Sequence, residues 1–270
     1  MLLSETRGLE ALDAIPDIMP KLSIVIPAKN EEKALPALLQ SIRAQTFKDY
    51  EIIVADAHST DQTVKVAESY GARVVEGGMP GPGRNKGAIE AKGEIVAFFD
   101  ADIGLPSDSF LEDCVAEMER KNLDVATCAL KPLNPKPIDK VFHQAYNAYV
   151  VVTEKVRPHA WGGCILARRH AHHGIKGFDE EIVFAEDHDY VQRAKKKGFK
   201  FGILRAHPVG ISVRRMDKDG RLSIALKYIF GELHMLTKGA IKKDYFKYEM
   251  GGDKFEMGGE GKEKVSSKND

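Results

Sequence analysis

The sequence predicts an α/β fold in which a mostly parallel central sheet is flanked by helices, with a less regular second half. Three observations predict it. Between residues 22 and 130, short β-branched runs alternate with stretches whose apolar residues recur at helical spacing, the pattern of successive strand–helix units joined by right-handed crossovers. One run, Ile95-Val-Ala-Phe-Phe99, is apolar throughout, as a strand covered on both faces must be, and it stops abruptly at Asp100-Ala-Asp102. Beyond residue 131 the pattern loosens, broken by Pro132, Pro135 and Pro137.

Taken in order, residues 22–27 read as a first buried strand, followed by a helix carrying Leu35, Leu38, Leu39 and Ile42 with Pro36 in its first turn. Residues 51–55 form a second strand ending at Asp56. Ser59-Thr-Asp-Gln62 has capping-box spacing ahead of a helix that stops at Gly71. A short third strand at 72–75 leads into a Gly-rich loop, 77–83, and a helix at 84–91. After the central strand, Ser107 is placed to cap a helix with Phe110, Leu111, Cys114, Val115 and Met118 on one face, and 123–130 is a fifth strand. In the second half a long helix at 139–156 presents Val141, Phe142, Ala145, Ala148, Tyr149 and Val152 as a core stripe. A Gly-opened strand at 161–167, a helix at 186–197, a strand at 199–204 and a helix at 222–237 complete the pattern. The chain divides into a leader, 1–20, one domain over 21–240 with halves at about 21–131 and 132–240, and a tail at 249–270 rich in Gly, Lys, Glu and Ser, read as disordered.

Composition narrows the function classes. Lys plus Arg equal Asp plus Glu at 40 each, so no general basic field points to nucleic acid. The three cysteines, Cys114, Cys128 and Cys164, are widely spaced and odd in number, which argues against a disulfide framework and for a reducing compartment. No signal peptide and no apolar run of membrane-spanning length is evident, so the chain reads as cytoplasmic, with peripheral contact at a membrane face left open.

The carboxyl ends of strands in such a sheet form one ligand-binding rim. Asn30 and Glu31 follow the first strand, Asp56 the second, and Asp100 and Asp102 the central one. Two aspartates one residue apart can reach one cation, and hard oxygen donors suit Mg²⁺ or Mn²⁺ completed by substrate phosphates. Each residue also has an ordinary role: Asp100-Ala-Asp102 as a turn and cap, Asp56 as a turn residue, Asn30 as a helix cap, Arg84 as a solvated charge.

The order of six motifs goes further. Ile24-Val-Ile-Pro-Ala-Lys-Asn-Glu-Glu32, Ile52-Ile-Val-Ala-Asp-Ala-His-Ser-Thr-Asp61, Gly83-Arg-Asn-Lys-Gly87, Phe98-Phe-Asp-Ala-Asp102, Gly177-Phe-Asp-Glu180 and Ala185-Glu-Asp187 together resemble glycosyltransferase family 2 over roughly residues 21–200. The resemblance implies a GT-A fold with a Rossmann-like sheet and a less regular acceptor-side half. It also implies a nucleoside-diphosphate-sugar donor, a divalent metal, Mg²⁺ or Mn²⁺, and transfer with inversion to a glycan, lipid-linked or small-molecule acceptor. On that resemblance Asp102 ligates the metal, and Asp100 contacts the donor ribose or shares the ion, with Ala101 between them. Asp56 meets the nucleobase and Arg84 the base or diphosphate, while Pro27, Ala28, Asn30 and Glu31 line the nucleotide pocket. Asp187 is the base that deprotonates the acceptor, beside Glu186. Burial and the adjacent carboxylate would raise its pKa. Arg214 and Arg215 clamp the diphosphate, and His207 completes the metal shell. His170, His172 and His173 read instead as a solvated turn or helix. Asp56-Ala57-His58 and Lys176, where the family often has Gly, depart from its pattern.

Competing readings fit less well. A haloacid-dehalogenase-type phosphohydrolase using Asp100 and Asp102 would carry its pair near the first strand. A nucleotidyltransferase needs a Gly-rich loop after Pro27, and Gly81-Pro-Gly-Arg-Asn-Lys-Gly87 has the wrong spacing for a dinucleotide site. A non-catalytic nucleotide-sugar-binding or scaffold protein is the alternative outside enzymes.

Overall fold

In a computed structural model, residues 19–245 are described; nearly all of the leader, and the tail, lie outside the described residues. Eight strands form one sheet: β1 (Leu22–Ala28), β2 (Tyr50–Asp56), β3 (Arg73–Glu76), β4 (Ile95–Phe99), β5 (Ile103–Gly104), β6 (Val125–Pro132), β7 (Cys164–Arg168) and β8 (Phe201–Ile211). Their order across the sheet is β3-β2-β1-β4-β7-β6-β8-β5. β1 pairs in parallel with both β2 and β4, and β2 with β3, so the first half is the parallel sheet expected. The chain turns to one side after β1 and to the other at β4, which puts the switch point of the sheet between them.

The second half makes the sheet mixed. β7 runs antiparallel to both β4 and β6, while β6 and β8 pair in parallel. The cause is α5 (Pro137–Thr153), which leaves the carboxyl end of β6 without crossing back over the sheet. β7 therefore enters at that same edge, with Cys164 opposite Phe99. This register sets Trp161-Gly-Gly163 beside Asp100, whose N–H donates to the Gly163 carbonyl at 3.2 Å.

The remaining helices are α1 (Leu35–Arg43), α2 (Thr63–Ser69), α3 (Pro80–Ile89), α4 (Phe110–Lys121), α6 (Arg169–Gly174), α7 (Glu186–Lys196), α8 (Arg214–Asp219) and α9 (Arg221–Lys238). Strand alternation sorts the core onto two faces. Ile24 and Ile26 pack with Leu35, Leu38 and Phe110 on one side, and Val25 packs with Phe98, Phe178 and Tyr190 on the other. α3 lies so close to β1 that a Cβ at Gly87 would sit 2.3 Å from Val25 Cγ1, so glycine is required there.

Several local expectations change. Ser59 does not cap α2, whose N-cap is Gln62; its hydroxyl accepts the Asn30 N–H, and Asp61 Oδ1 accepts the Thr63 N–H at 2.9 Å. Ser107 makes no cap, since α4 begins at Phe110. The predicted core stripe of α5 is not buried: Val141 is 60% and Val152 79% exposed, and the buried positions are Asp139, His143 and Val150. α5 rests on β6, where the Asn147 side chain bonds the Leu130 backbone, and meets α9 on its other side, with the Phe142 and Tyr228 rings stacked at 6.2 Å. Of the predicted solvated histidines, His170 is exposed but His172 is buried against Phe98, its Nδ1 2.9 Å from the Tyr190 hydroxyl. α9 buries only Ile224 and Gly231 among its described side chains, leaving Leu222, Leu226, Ile229, Leu233 and Leu236 exposed at alternating four- and three-residue spacing.

Candidate active site

The carboxyl ends of β1, β2 and β4 bring Asn30, Glu31, Asp56, Asp100 and Asp102 to one rim. Pro27 and Ala28 close β1 in the floor beneath, where Ala28 is buried and its carbonyl accepts the Ala57 N–H at 2.8 Å. Asn30, held at φ +52°, ties the first two loops together by accepting the Thr60 N–H on Oδ1 at 2.8 Å. It caps no helix: α1 begins at Leu35 after Ala34 and α2 at Thr63. Asp56 accepts the Ser59 N–H on Oδ2 at 2.9 Å, while its Oδ1 is buried with no hydrogen-bond partner. A buried carboxylate oxygen left unpaired costs free energy unless a donor meets it.

Asp100 and Asp102 follow β4 in a turn, with the buried Ala101 between them, and they face different partners. Asp100 Oδ1 accepts from Arg84 Nη2 at 2.8 Å. Asp102 Oδ2 lies 3.2 Å from Arg214 Nη2, and the same guanidinium binds Glu31 through both nitrogens, at 3.0 and 3.2 Å. Burial, with the repulsion of Asp102 and Asp100 added, pushes the Glu31 carboxyl above its ordinary value despite Arg214. The side chain of Arg215 lies outside the described residues. His207 is engaged elsewhere: its Nε2 is 2.7 Å from Asp113 Oδ2 on α4. Among the described residues, Asp100, Asp102 and His207 do not converge closely enough to share an ion.

Arg84 is not the solvated charge of its ordinary reading. It is 2% exposed, with Phe178 beneath its guanidinium at 5.3 Å, and it links three segments. Nη1 donates to Glu186 Oε1 at 2.7 Å, and Nη2 to Asp100 Oδ1 and to the Gly162 carbonyl at 3.1 Å. Glu186 and Asp187 open α7 after Ala185, which adopts a left-handed φ of +61°, an uncommon conformation for a residue with a Cβ. Asp187 accepts the Gly162 N–H on Oδ2 at 2.7 Å and the His188 N–H on Oδ1 at 2.8 Å. The His188 ring Nδ1 is 3.1 Å from the same Oδ1, close enough for a strong charge contact though not aligned as a hydrogen bond.

These neighbours separate the two acids. Burial pushes Glu186 up, and the adjacent Asp187 adds to it, beyond what Arg84 offsets. Burial also acts on Asp187, but His188 outweighs it and, with Arg84, holds that carboxyl below the usual range. The expected upward shift of Asp187 is therefore reversed by His188, which belongs to none of the six motifs. Gly162 was likewise read only as the opening of a strand. Its place is set by contact, since a Cβ there would sit 3.0 Å from Arg84 Nη2 and 3.4 Å from Asp187 Oδ2.

The family model described as Glycosyl transferase family 2 matches residues 23–175. The chain belongs to glycosyl transferase family 2. The poly(ribitol-phosphate) beta-N-acetylglucosaminyltransferase TarS of Staphylococcus aureus is 32% identical over 130 residues, covering 44% of this chain and 22% of that protein. A GalNAc(5)-diNAcBac-PP-undecaprenol beta-1,3-glucosyltransferase of Campylobacter jejuni is 37% identical over 93 residues, 31% of this chain and 30% of that one. The alignments thus span well under half of these relatives. Among solved structures, S. aureus TarS 1-349 in complex with UDP-GlcNAc matches with TM-score 0.59 and 25% identity over 71% of this chain and 58% of that one. The mannosyltransferase PcManGT of Pyrobaculum calidifontis, solved with GDP-Man and Mn²⁺, matches with TM-score 0.61 and 21% identity over 73% and 58%. The fold of this family 2 chain is accordingly GT-A.

Proposed function

We propose that this chain transfers a sugar from a nucleoside-diphosphate-sugar to a hydroxyl or lipid-phosphate acceptor by direct displacement with inversion, Asp187 serving as the base. The observation that carries the reading is the Arg84 bridge, which ties Asp100 on the donor rim to Glu186, next to Asp187. Donor-side and acceptor-side carboxylates thereby flank one reaction space.

An ionised Asp187 with both oxygens oriented by backbone N–H groups is ready to accept a proton. As the acceptor oxygen attacks the anomeric carbon, its proton passes to Asp187 and the bond from that carbon to the diphosphate breaks on the opposite side. A divalent ion, Mg²⁺ or Mn²⁺, fits the carboxylate donors at Asp102 and Asp100, and the guanidinium of Arg214 already lies in a cation's position against Asp102. When bound, such an ion neutralises negative charge developing on the diphosphate. His207 is left out of that shell because Asp113 engages it. The unpaired Oδ1 of Asp56 would accept a ring N–H, which uracil, thymine and guanine present and cytosine lacks. No helix of the described residues is long and apolar enough to cross a membrane. The exposed apolar ridge of α9 supports contact with a membrane face, where a lipid-linked acceptor would lie.

Calorimetric titration with UDP, GDP, dTDP and CDP, each with and without Mn²⁺, tests the donor side. Metal-dependent binding of one ring-N–H base in preference to CDP is expected, and equal indifference to all four would overturn the donor assignment. Asp187→Asn should then keep nucleotide binding while losing about 10²–10⁴-fold in turnover; wild-type turnover would remove Asp187 as base.

A further inference from the structure

Next to Asp187, four segments converge on a cluster of which only His188 touches the proposed base. His159 comes from the loop after α5, His188 from α7, Glu232 from α9, and Tyr149 from α5 itself. One ligand atom from each of His159, His188 and Glu232 lies within 4.8 Å of the other two. His159 Nε2 stands 3.2 Å from Glu232 Oε1.

The surroundings orient both rings for such a role. His159 Nδ1 is 3.1 Å from the Thr153 hydroxyl oxygen, and that hydroxyl donates to the Tyr149 carbonyl at 2.8 Å, so the ring supplies the hydrogen at Nδ1 and turns a lone pair at Nε2 towards Glu232. The Tyr149 hydroxyl hydrogen is committed to Glu232 Oε1 at 2.8 Å. His188 Nδ1 lies against Asp187, which leaves Nε2 as the open atom of that ring. Ligating histidines commonly have one ring nitrogen fixed in this way by a hydroxyl, carbonyl or carboxylate. Arg157 Nη1 also binds Glu232 Oε1, so Oε2 is the oxygen available to an ion.

We infer that His159, His188 and Glu232 form a second metal site, for a borderline transition ion such as Zn²⁺, which pins α9 and α5 to the segment that carries Asp187. Two imidazoles and one carboxylate match zinc chemistry and are a poor set for Mg²⁺, which demands oxygen. The Tyr149 hydroxyl, 3.3 Å from His159 Nε2, or a water supplies the fourth position. The site stands apart from the carboxylates proposed to hold the donor's ion, and it does not rest on the transferase reading.

The test uses the full chain, stripped with chelator, desalted and titrated without nucleotide with Co²⁺, whose tetrahedral complexes absorb strongly in visible light, and then with Zn²⁺ in competition. One equivalent of tetrahedral Co²⁺ displaced by Zn²⁺ is expected, with a rise in melting temperature. The same titration should survive in Asp102→Ala and weaken at least a hundredfold in His159→Gln and in Glu232→Gln. Glu232 is part-exposed on α9, so that variant reports even where a change at the fully buried His159 disturbs folding. Absence of a tetrahedral spectrum, its persistence in Glu232→Gln, or its loss in Asp102→Ala would overturn the proposal and leave an ordinary hydrogen bond from His159 to Glu232.

Discussion

Arg84→Met asks how much the buried guanidinium holds together. Methionine fills much of the same volume and keeps an apolar body over Phe178, so the change removes charge and hydrogen bonds more than packing. Three hydrogen bonds are lost, two of which are also ion pairs. Glu186, with its side chain 17% exposed, is left without its cation beside Asp187, whereas Asp100, at 34%, regains water. Stranding one buried charge typically costs 3–5 kcal/mol, and because Asp100 contributes little, we expect about 3 kcal/mol at pH 7. The sign with pH follows from Glu186. Its folded pKa is already raised above the ordinary 4.5, burial being the main cause, and losing Arg84 raises it further. A carboxyl that binds its proton more tightly folded than unfolded lowers stability as pH rises through that interval. The deficit of Arg84→Met relative to wild type should therefore be largest at neutral pH and shrink towards pH 4.5. Urea denaturation at several pH values, with the slope m unchanged between the two proteins, measures it. A loss below about 1 kcal/mol, or one that grows as pH falls, would refute the view that Arg84 chiefly neutralises Glu186.

Three other outcomes follow from single observations. Asp56→Asn keeps an oxygen for the Ser59 N–H but turns an amide donor towards the base, so nucleotide binding should weaken about ten- to a hundredfold by calorimetry with folding intact. His172 is held neutral down to about 4, by burial and then by His173 and Arg193. Its contribution is complete above the unfolded value of 6.5 and is lost as pH falls towards 4, about 3 kcal/mol over that window, so His172→Phe should flatten the acid side of the stability profile by that amount. Lys176 occupies a left-handed φ of +65°, and Lys176→Gly should raise stability by about 0.5–1 kcal/mol after the greater freedom of glycine in the unfolded chain is subtracted, as read from thermal melts.

The first half of the fold was legible because its information is local. β1, β2 and β4 are short apolar runs closed by a turn signal, so the rim formed by Glu31, Asp56, Asp100 and Asp102 could be placed from spacing, whereas α3 begins at Pro80, inside the stretch expected to be a Gly-rich loop, because Pro fits a first helical turn. The second half depends on pairings that no local pattern encodes. β7 has the composition of any buried strand, and only the path of α5 makes it antiparallel. The apolar residues of α5 and α9 have helical periods that fit a core, yet most are exposed, and the two helices meet through the stacked Phe142 and Tyr228 rings. Lys176 shows the converse: a departure from the family's glycine that spacing could flag but only φ explains.

The roles of the polar residues were the least legible, because charge pairing overrides what each side chain does alone. Arg84 reads as solvated or as a ligand to base or diphosphate, yet its carboxylate partners sit 16 and 102 residues away and engage both terminal nitrogens in the protein interior, leaving Nε unpaired. Glu186 and Asp187 look equivalent as neighbours in sequence. One meets Arg84 and is still pushed up by burial, while the other meets His188 and two N–H groups and stays ionised. That division supports the proposed role of Asp187 as proton acceptor, with Glu186 holding Arg84 against Asp100. A sheet that mixes parallel and antiparallel strands is what permits it: β7 must enter beside β4 for Gly162 to reach Asp187 with its N–H and Arg84 with its carbonyl in the same loop.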